Sequence, residues 1–336
     1  MRTKIFVYIE TNNNKPIDAS LALLSYANEI IKNKKREDFV ISALIFSQNQ
    51  LNNVEKNDLY IAGADSIFNI VGNAFESYSL DAQFKALQNV IKIEHPDIML
   101  FSTTIKQKEI APYLATAINA GLTADCTSLD IVFDNGMPEL LATRPTFGGK
   151  LMAQIAFKGY PQIATVRAGV SKPNNTYYFD SKEYKKMNFE IKDEFHIKTL
   201  ESYSSPLFES KLDPNSSIIF SVGAGIGNNF QLVEELVSKL QKLGVKASIG
   251  ASRKAVEKGL APRELQIGQT GVFVSPDIYV MLGISGAVHH MIAISGAKKI
   301  IAVNTDENAP IATLADIFIK ASADEFVSKI LKNLPR

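Results

Sequence analysis

The sequence predicts an α/β protein of two domains, each a mostly parallel sheet flanked by helices, and three observations carry that expectation. Short β-branched and aromatic runs alternate with stretches of helical periodicity, the pattern of strands joined by crossover helices. At 336 residues the chain is too long for one ordinary core. Between residues 172 and 214 the apolar periodicity fades while Pro, Ser, Asn and charged residues gather. That marks a boundary, placed so that residues 1–204 form one domain and residues 205–336 the other.

In chain order, residues 4–10 read as a strand, and a polar turn at 12–15 leads to a helix over 19–31. Strands follow at 39–46, 64–71 and 98–102, with helices at 80–94 and 109–121. After Cys126 the runs shorten: 128–133, 139–144, 152–157 and 162–167 are strand-like and joined by turns such as Asp134-Asn135-Gly136 and Gly148-Gly149. They are expected to extend the same sheet as antiparallel edge strands. The second domain opens with a strand at 217–222 and the turn Gly223-Ala224-Gly225-Ile226-Gly227. A helix then places Phe230, Val233, Leu236, Val237, Leu240 and Leu243 on one stripe, and Gly244 stops it. Strands are expected at 245–249, 272–274, 299–303 and 316–319. Helices are expected from Ser252 to Gly259, from Ser285 through 294, and over 323–331.

Composition narrows the function classes. A hydrophobic fraction of 46% with 21% charged residues belongs to a well-folded globular chain. A net charge of +1 supplies no global field to hold nucleic acid or an anionic membrane surface. No apolar run approaches the roughly 20 residues that span a bilayer, so no direct membrane insertion is expected. The single cysteine, Cys126, agrees with a reducing, cytoplasmic setting.

Residues 250–306 concentrate the chemistry. Glycines, hydroxyls, one arginine and a histidine pair fill turns between short apolar runs, the composition of a phosphate- or nucleotide-binding surface. Gly223 to Gly227 has the strand-to-helix context of a dinucleotide loop, but Asn228 stands where the third glycine belongs, so phosphate contact and a plain turn both remain open. Ser252-Arg253 reads either as a phosphate contact with a ring-facing guanidinium or as a helix cap with a solvated arginine. Gly268-Gln269-Thr270-Gly271 is by itself a turn. Ser285, beside Gly286 and Ala287 at a helix start, offers free N–H groups with room for a diphosphate. His289 and His290 point about 100° apart on a helix and cannot share one metal. Asn304-Thr305-Asp306 ends a strand, as a ligand contact or an Asx turn. No nucleophile–base pair can be assembled.

In order, Ala251-Ser252-Arg253, Gln266 to Gly271, Pro276 to Tyr279, Gly283 to His290, Ala302 to Asp306 and Ala309 to Asp316 make this chain similar to the α subunit of electron-transfer flavoprotein. Arg144-Pro145 with Phe147-Gly148-Gly149, and residues 163–167, extend the resemblance to the first half. It implies that the C-terminal domain is an FAD-binding Rossmann-like domain. Its cofactor-binding residues would be Ser252, Arg253, Ile267, Gly268, Gln269, Thr270, Ser285, Gly286, Ala287, Val288, His289, His290 and Asn304. Ser252 and Ser285 to Ala287 would serve the diphosphate, Thr270 would face flavin N5, and Arg253 and His290 would lie near the N1–C2=O edge. The chain departs from the family at Ala224, His289, Ala293, Ala312 and Ser322. The resemblance further implies an electron carrier rather than an enzyme, working as a heterodimer with a β subunit. That pair would exchange electrons with an acyl-CoA or related flavin dehydrogenase and with a quinone or ferredoxin-linked oxidoreductase. The alternative is an FAD- or nucleotide-binding structural or regulatory subunit without electron transfer.

Overall fold

The computed structural model describes residues 2–12, 15–146, 151–167, 169–171, 173–174, 177, 182–190, 212–214 and 216–335. The chain divides into two compact units, Met1–Tyr203 and Ser204–Arg336. The boundary expected after residue 204 and the Phe147-Gly148-Gly149 segment lie outside the described residues.

The first unit is organised on β1 (Thr3–Ile9), and the side-chain period of two explains why. Ile5, Val7 and Ile9 enter one core cluster, while Phe6 and Tyr8 enter another. A strand apolar on both faces must be covered on both, which is the condition of a central parallel strand. It pairs with β2 (Phe39–Ser47) in the register Thr3↔Phe39 through Ile9↔Ile45. On that side β3 (Ser66–Val71) follows; on the other comes β4 (Ile98–Ser102). The helices are α1 (Asp18–Ile30), α2 (Asn53–Ile61), α3 (Leu80–Glu94) and α4 (Ile105–Ala117). The sequence reading gave α2 no place. It buries only Leu59 and Tyr60, so its apolar signal is faint, and a capping box between Asn52 and Glu55 starts it instead.

The expected antiparallel extension is corrected in two ways. Residues 162–167 do not lie at an edge: β9 (Gln162–Val166) is parallel and sits between β4 and β5 (Leu122–Cys126). Its burial is complete, as an interior parallel strand requires. The other three runs, β6 (Ser128–Asp134), β7 (Met137–Thr146) and β8 (Leu151–Ile155), form a separate three-stranded antiparallel sheet. Leu129, Ile131, Leu140 and Ala142 join the core that lies against β1, so these strands cover the main sheet rather than prolong it. The seventh strand, β10 (Glu183–Asn188), completes the order β10-β3-β2-β1-β4-β9-β5.

The second unit is a six-stranded parallel sheet. Its strands are β11 (Ile218–Val222), β12 (Ala247–Ser252), β13 (Gln266–Ile267), β14 (Ile278–Leu282), β15 (Lys299–Asn304) and β16 (Ile317–Lys320), in the order β13-β12-β11-β14-β15-β16. Around it lie α5 (Phe230–Lys242), α6 (Arg253–Glu257), α7 (Val288–Ala293), α8 (Ile311–Leu314) and α9 (Ala323–Asn333). The strand expected at 272–274 does not form. Val272 instead donates to the Gln266 carbonyl and closes a turn. The two central strands, β11 and β14, carry the interior signature, buried from Ile219 to Val222 and from Tyr279 to Leu282. The expected helix from Ser285 begins only at Val288.

Candidate functional site

The order of the second sheet reverses between β11 and β14, and ligands of open α/β sheets bind beyond the carboxyl ends of the strands at such a point. Here the loops after the two strands are pressed backbone to backbone. Gly223 N–H donates to Leu282 O and Gly225 N–H to Gly283 O. Gly283 has φ +66°, and a Cβ on it would stand 2.8 Å from the Gly225 backbone. Gly286 has φ +85°, and a Cβ there would meet Ile311 N at 2.8 Å, because Ile311 N–H donates to Ser285 O. Only glycine allows this approach, and the backbone thereby becomes the wall of the site.

The cleft it bounds has a volume of about 520 Å³. Of the residues expected to hold the cofactor, Ser252, Arg253, Ile267, Gly268, Gln269, Thr270, Ser285, Ala287, His289, His290 and Asn304 line it. Gly286 turns its backbone onto α8, and Val288 points an exposed side chain away from the core. The sequence reading did not assign Lys254, Glu257 and Ala309, which also line the cleft. Lys254 and Glu257 stand three residues apart on α6, a helical spacing that the short α6 signal contained.

Each polar group is held by a local device. Ser252 caps α6, its Oγ accepting from Ala255 N–H at 3.3 Å, which leaves the hydroxyl proton to donate. Thr270 Oγ1 accepts from Gln266 Nε2 at 2.9 Å, so this hydroxyl too has its proton to give. The backbone N–H groups of Ser285, Gly286 and Ala287 meet no backbone acceptor among the described residues. Asn304 forms the Asx turn with Asp306 N–H at 3.0 Å and ties Nδ2 to Ile284 O at 3.1 Å, so its first duty is to hold the loop. Arg253 pairs through Nε with Glu257 at 2.7 Å on an exposed surface, a contact worth about 0.3–0.5 kcal/mol and easily exchanged for another anion.

The adjacent histidines part as their helical angle requires. His289 is exposed, and its Nδ1 lies 2.6 Å from Gln269 Oε1. His290 is buried, with Nε2 at 2.9 Å from the Tyr279 hydroxyl and Nδ1 at 3.0 Å from Ile267 O. Burial pushes its pKa down to about 4 against a smaller upward pull from the Ile267 carbonyl, so the ring is neutral at pH 7. Cys126, in the first unit, is fully buried, and burial pushes its thiol up to about 12, which removes it as a nucleophile near neutrality.

This donor set fits FAD. Free amides and hydroxyl protons suit a diphosphate and the acceptor edge of a flavin, the glycine wall permits close approach, and Arg253 supplies a positive charge. The comparisons agree. The electron transfer flavoprotein domain model matches residues 5–191, and the electron transfer flavoprotein FAD-binding domain model matches residues 214–295. Protein FixB of Clostridium saccharobutylicum is 34% identical over 338 residues, covering 97% of this chain and 95% of that protein. The electron transfer flavoprotein subunit alpha of Clostridium acetobutylicum is 32% identical, with 97% and 95% covered. The acryloyl-CoA reductase electron transfer subunit beta of Anaerotignum propionicum is 30% identical, with 97% and 94% covered. Among the described residues no helix is long and apolar enough to cross a membrane. Two domain models in series and full-length relatives on a matching cleft make this chain a member of the electron transfer flavoprotein α-subunit family, whose members are FAD-binding electron carriers that pair with a β subunit.

Proposed function

We propose that FAD lies in the cleft at the β11/β14 switch point. Through it the chain relays electrons, with its β subunit, from a flavin dehydrogenase of the acyl-CoA type to a quinone- or ferredoxin-linked acceptor in the cytoplasm. The observation that supports this most is the gathering in one cleft of Ser285 and Ala287, whose amides meet no backbone acceptor among the described residues, with the hydroxyls of Ser252 and Thr270. Bound flavin supplies redox chemistry that no side chain here possesses.

The chain's own residues divide the work. The amides at 285–287 and Ser252 would hold the diphosphate. Thr270, whose oxygen accepts from Gln266, would offer its proton to the ring. Because His290 is neutral, Arg253 and Lys254 are the positive charges on the cleft that would favour added negative charge on the flavin. Arg253→Ala is therefore expected to lower the flavin midpoint potential while changing unfolding free energy by less than about 0.5 kcal/mol, read by redox titration and by denaturation. Co-purification with the β subunit tests the proposal as a whole. A yellow complex, reducible by a flavin dehydrogenase, is expected; a colourless complex that FAD cannot reconstitute overturns it, and a yellow one that no donor reduces leaves only a nucleotide-binding subunit.

A further inference from the structure

We propose that Tyr279 is a positioning residue: its hydroxyl donates to His290 Nε2 and fixes the imidazole in the orientation that keeps Nδ1 on the Ile267 carbonyl, and with it the turn that presents Thr270. The argument runs from what each atom is able to do. Ile267 O only accepts, so the His290 nitrogen 3.0 Å away, Nδ1, must carry the proton. The other nitrogen of a neutral ring has only a lone pair, so the Tyr279 hydroxyl 2.9 Å away must donate. All three residues are buried: Tyr279 and Ile267 at 0% exposure and His290 at 6%. Water therefore has little access to replace a lost partner, and an unsatisfied nitrogen there is costly. The low pKa of His290 agrees with a ring that stays neutral through the physiological range.

The consequence lies in the next three residues. Ile267 leads directly into Gly268-Gln269-Thr270, and Gln269 is gripped a second time by the neighbouring histidine. Its N–H donates to His289 O at 3.0 Å, and its Oε1 accepts from His289 Nδ1. Two successive histidines on α7 thus hold two positions of one turn, the inner one through Tyr279. A phenylalanine at 279 would keep the packing but leave Nε2 without a donor. The ring would then gain by turning to give that nitrogen a partner, and the turn releases Ile267. The consequence for FAD binding rests on the reading that FAD occupies this cleft; the arrangement of the ring does not.

The test is a long-range ¹H–¹⁵N correlation spectrum of the full-length chain labelled at its four histidines, with His290 identified by the signal missing in His290→Gln. Wild type is expected to show protonated Nδ1 and bare Nε2 as a single form. Tyr279→Phe is expected to lose that single form, and its complex with the β subunit to bind FAD roughly tenfold more weakly, the effect of about one hydrogen bond. A wild-type ring protonated at Nε2 overturns the proposal without any variant, so misfolding of Tyr279→Phe does not protect it. An unchanged His290 pattern in a folded Tyr279→Phe overturns it equally. Failure of the FAD reading would look different: the tautomer pattern as expected, with no flavin bound by wild type.

Discussion

Gly283→Ala is expected to destabilise the C-terminal unit by about 2–4 kcal/mol and to abolish flavin binding. Two effects add. The left-handed backbone at φ +66° costs a residue with a Cβ about 1–2 kcal/mol, and a Cβ 2.8 Å from the Gly225 Cα and carbonyl carbon meets backbone on a facing loop, which cannot swing aside. The loops after β11 and β14 would part, and the N–H of Gly225 would lose the Gly283 carbonyl. Gly244→Ala is the matched control. Its φ of +82° carries the same strain, but nothing lies within 4 Å of its added Cβ, so about 1 kcal/mol of stability is lost and flavin binding is kept. Denaturation midpoints and FAD titration of the complex separate the two; equal behaviour of the variants would show that the backbone contact at the switch point is dispensable.

A second large effect is expected on lowering the pH. The unfolded His290 ring takes up a proton near its ordinary 6.5, whereas the folded ring does so only near 4. Its depressed folded pKa contributes stability that is present above about 6.5. That contribution falls as the pH drops toward 4, because the unfolded chain binds a proton the folded one refuses, and it levels off below. The loss approaches about 3 kcal/mol, the free energy of moving the ring's titration from 6.5 to about 4. Denaturation of wild type and His290→Gln at a series of pH values reads it as a difference of slopes: the variant should be less stable at pH 7.5 and should lose less stability between pH 6.5 and 4. Parallel slopes would mean that His290 is solvated and charged.

Much of this was legible in the sequence because it depends on short-range rules. Strand–helix alternation fixed the fold class, Gly244 ended α5, and Ser252 capped α6 as its position implied. The cleft-lining residues followed from ordered motifs in turns, where little but backbone geometry and ligand contact constrains the choice. Other features depend on partners distant in sequence. The strand β9 and the strands 128–155 look alike locally, and only their pairing, β9 with β4 and β5 and the other three with one another, sorts them into different sheets. The glycines at 223 and 225 read as an incomplete phosphate fingerprint, whereas here they make room for Gly283. The protonation of His290 is set by burial and by partners distant in sequence, the Ile267 carbonyl and the Tyr279 hydroxyl, which the local motif does not reveal.

The central claim is that the flavin lies against the loops of the C-terminal unit, and hydrogen exchange of the complex with and without FAD tests it most directly. Added FAD should slow exchange at the amides of Ser285, Gly286 and Ala287, which have no backbone acceptor among the described residues, and to a smaller degree along 268–270. Protection confined to other parts of the chain, with residues 285–287 exchanging as fast as before, would contradict the account.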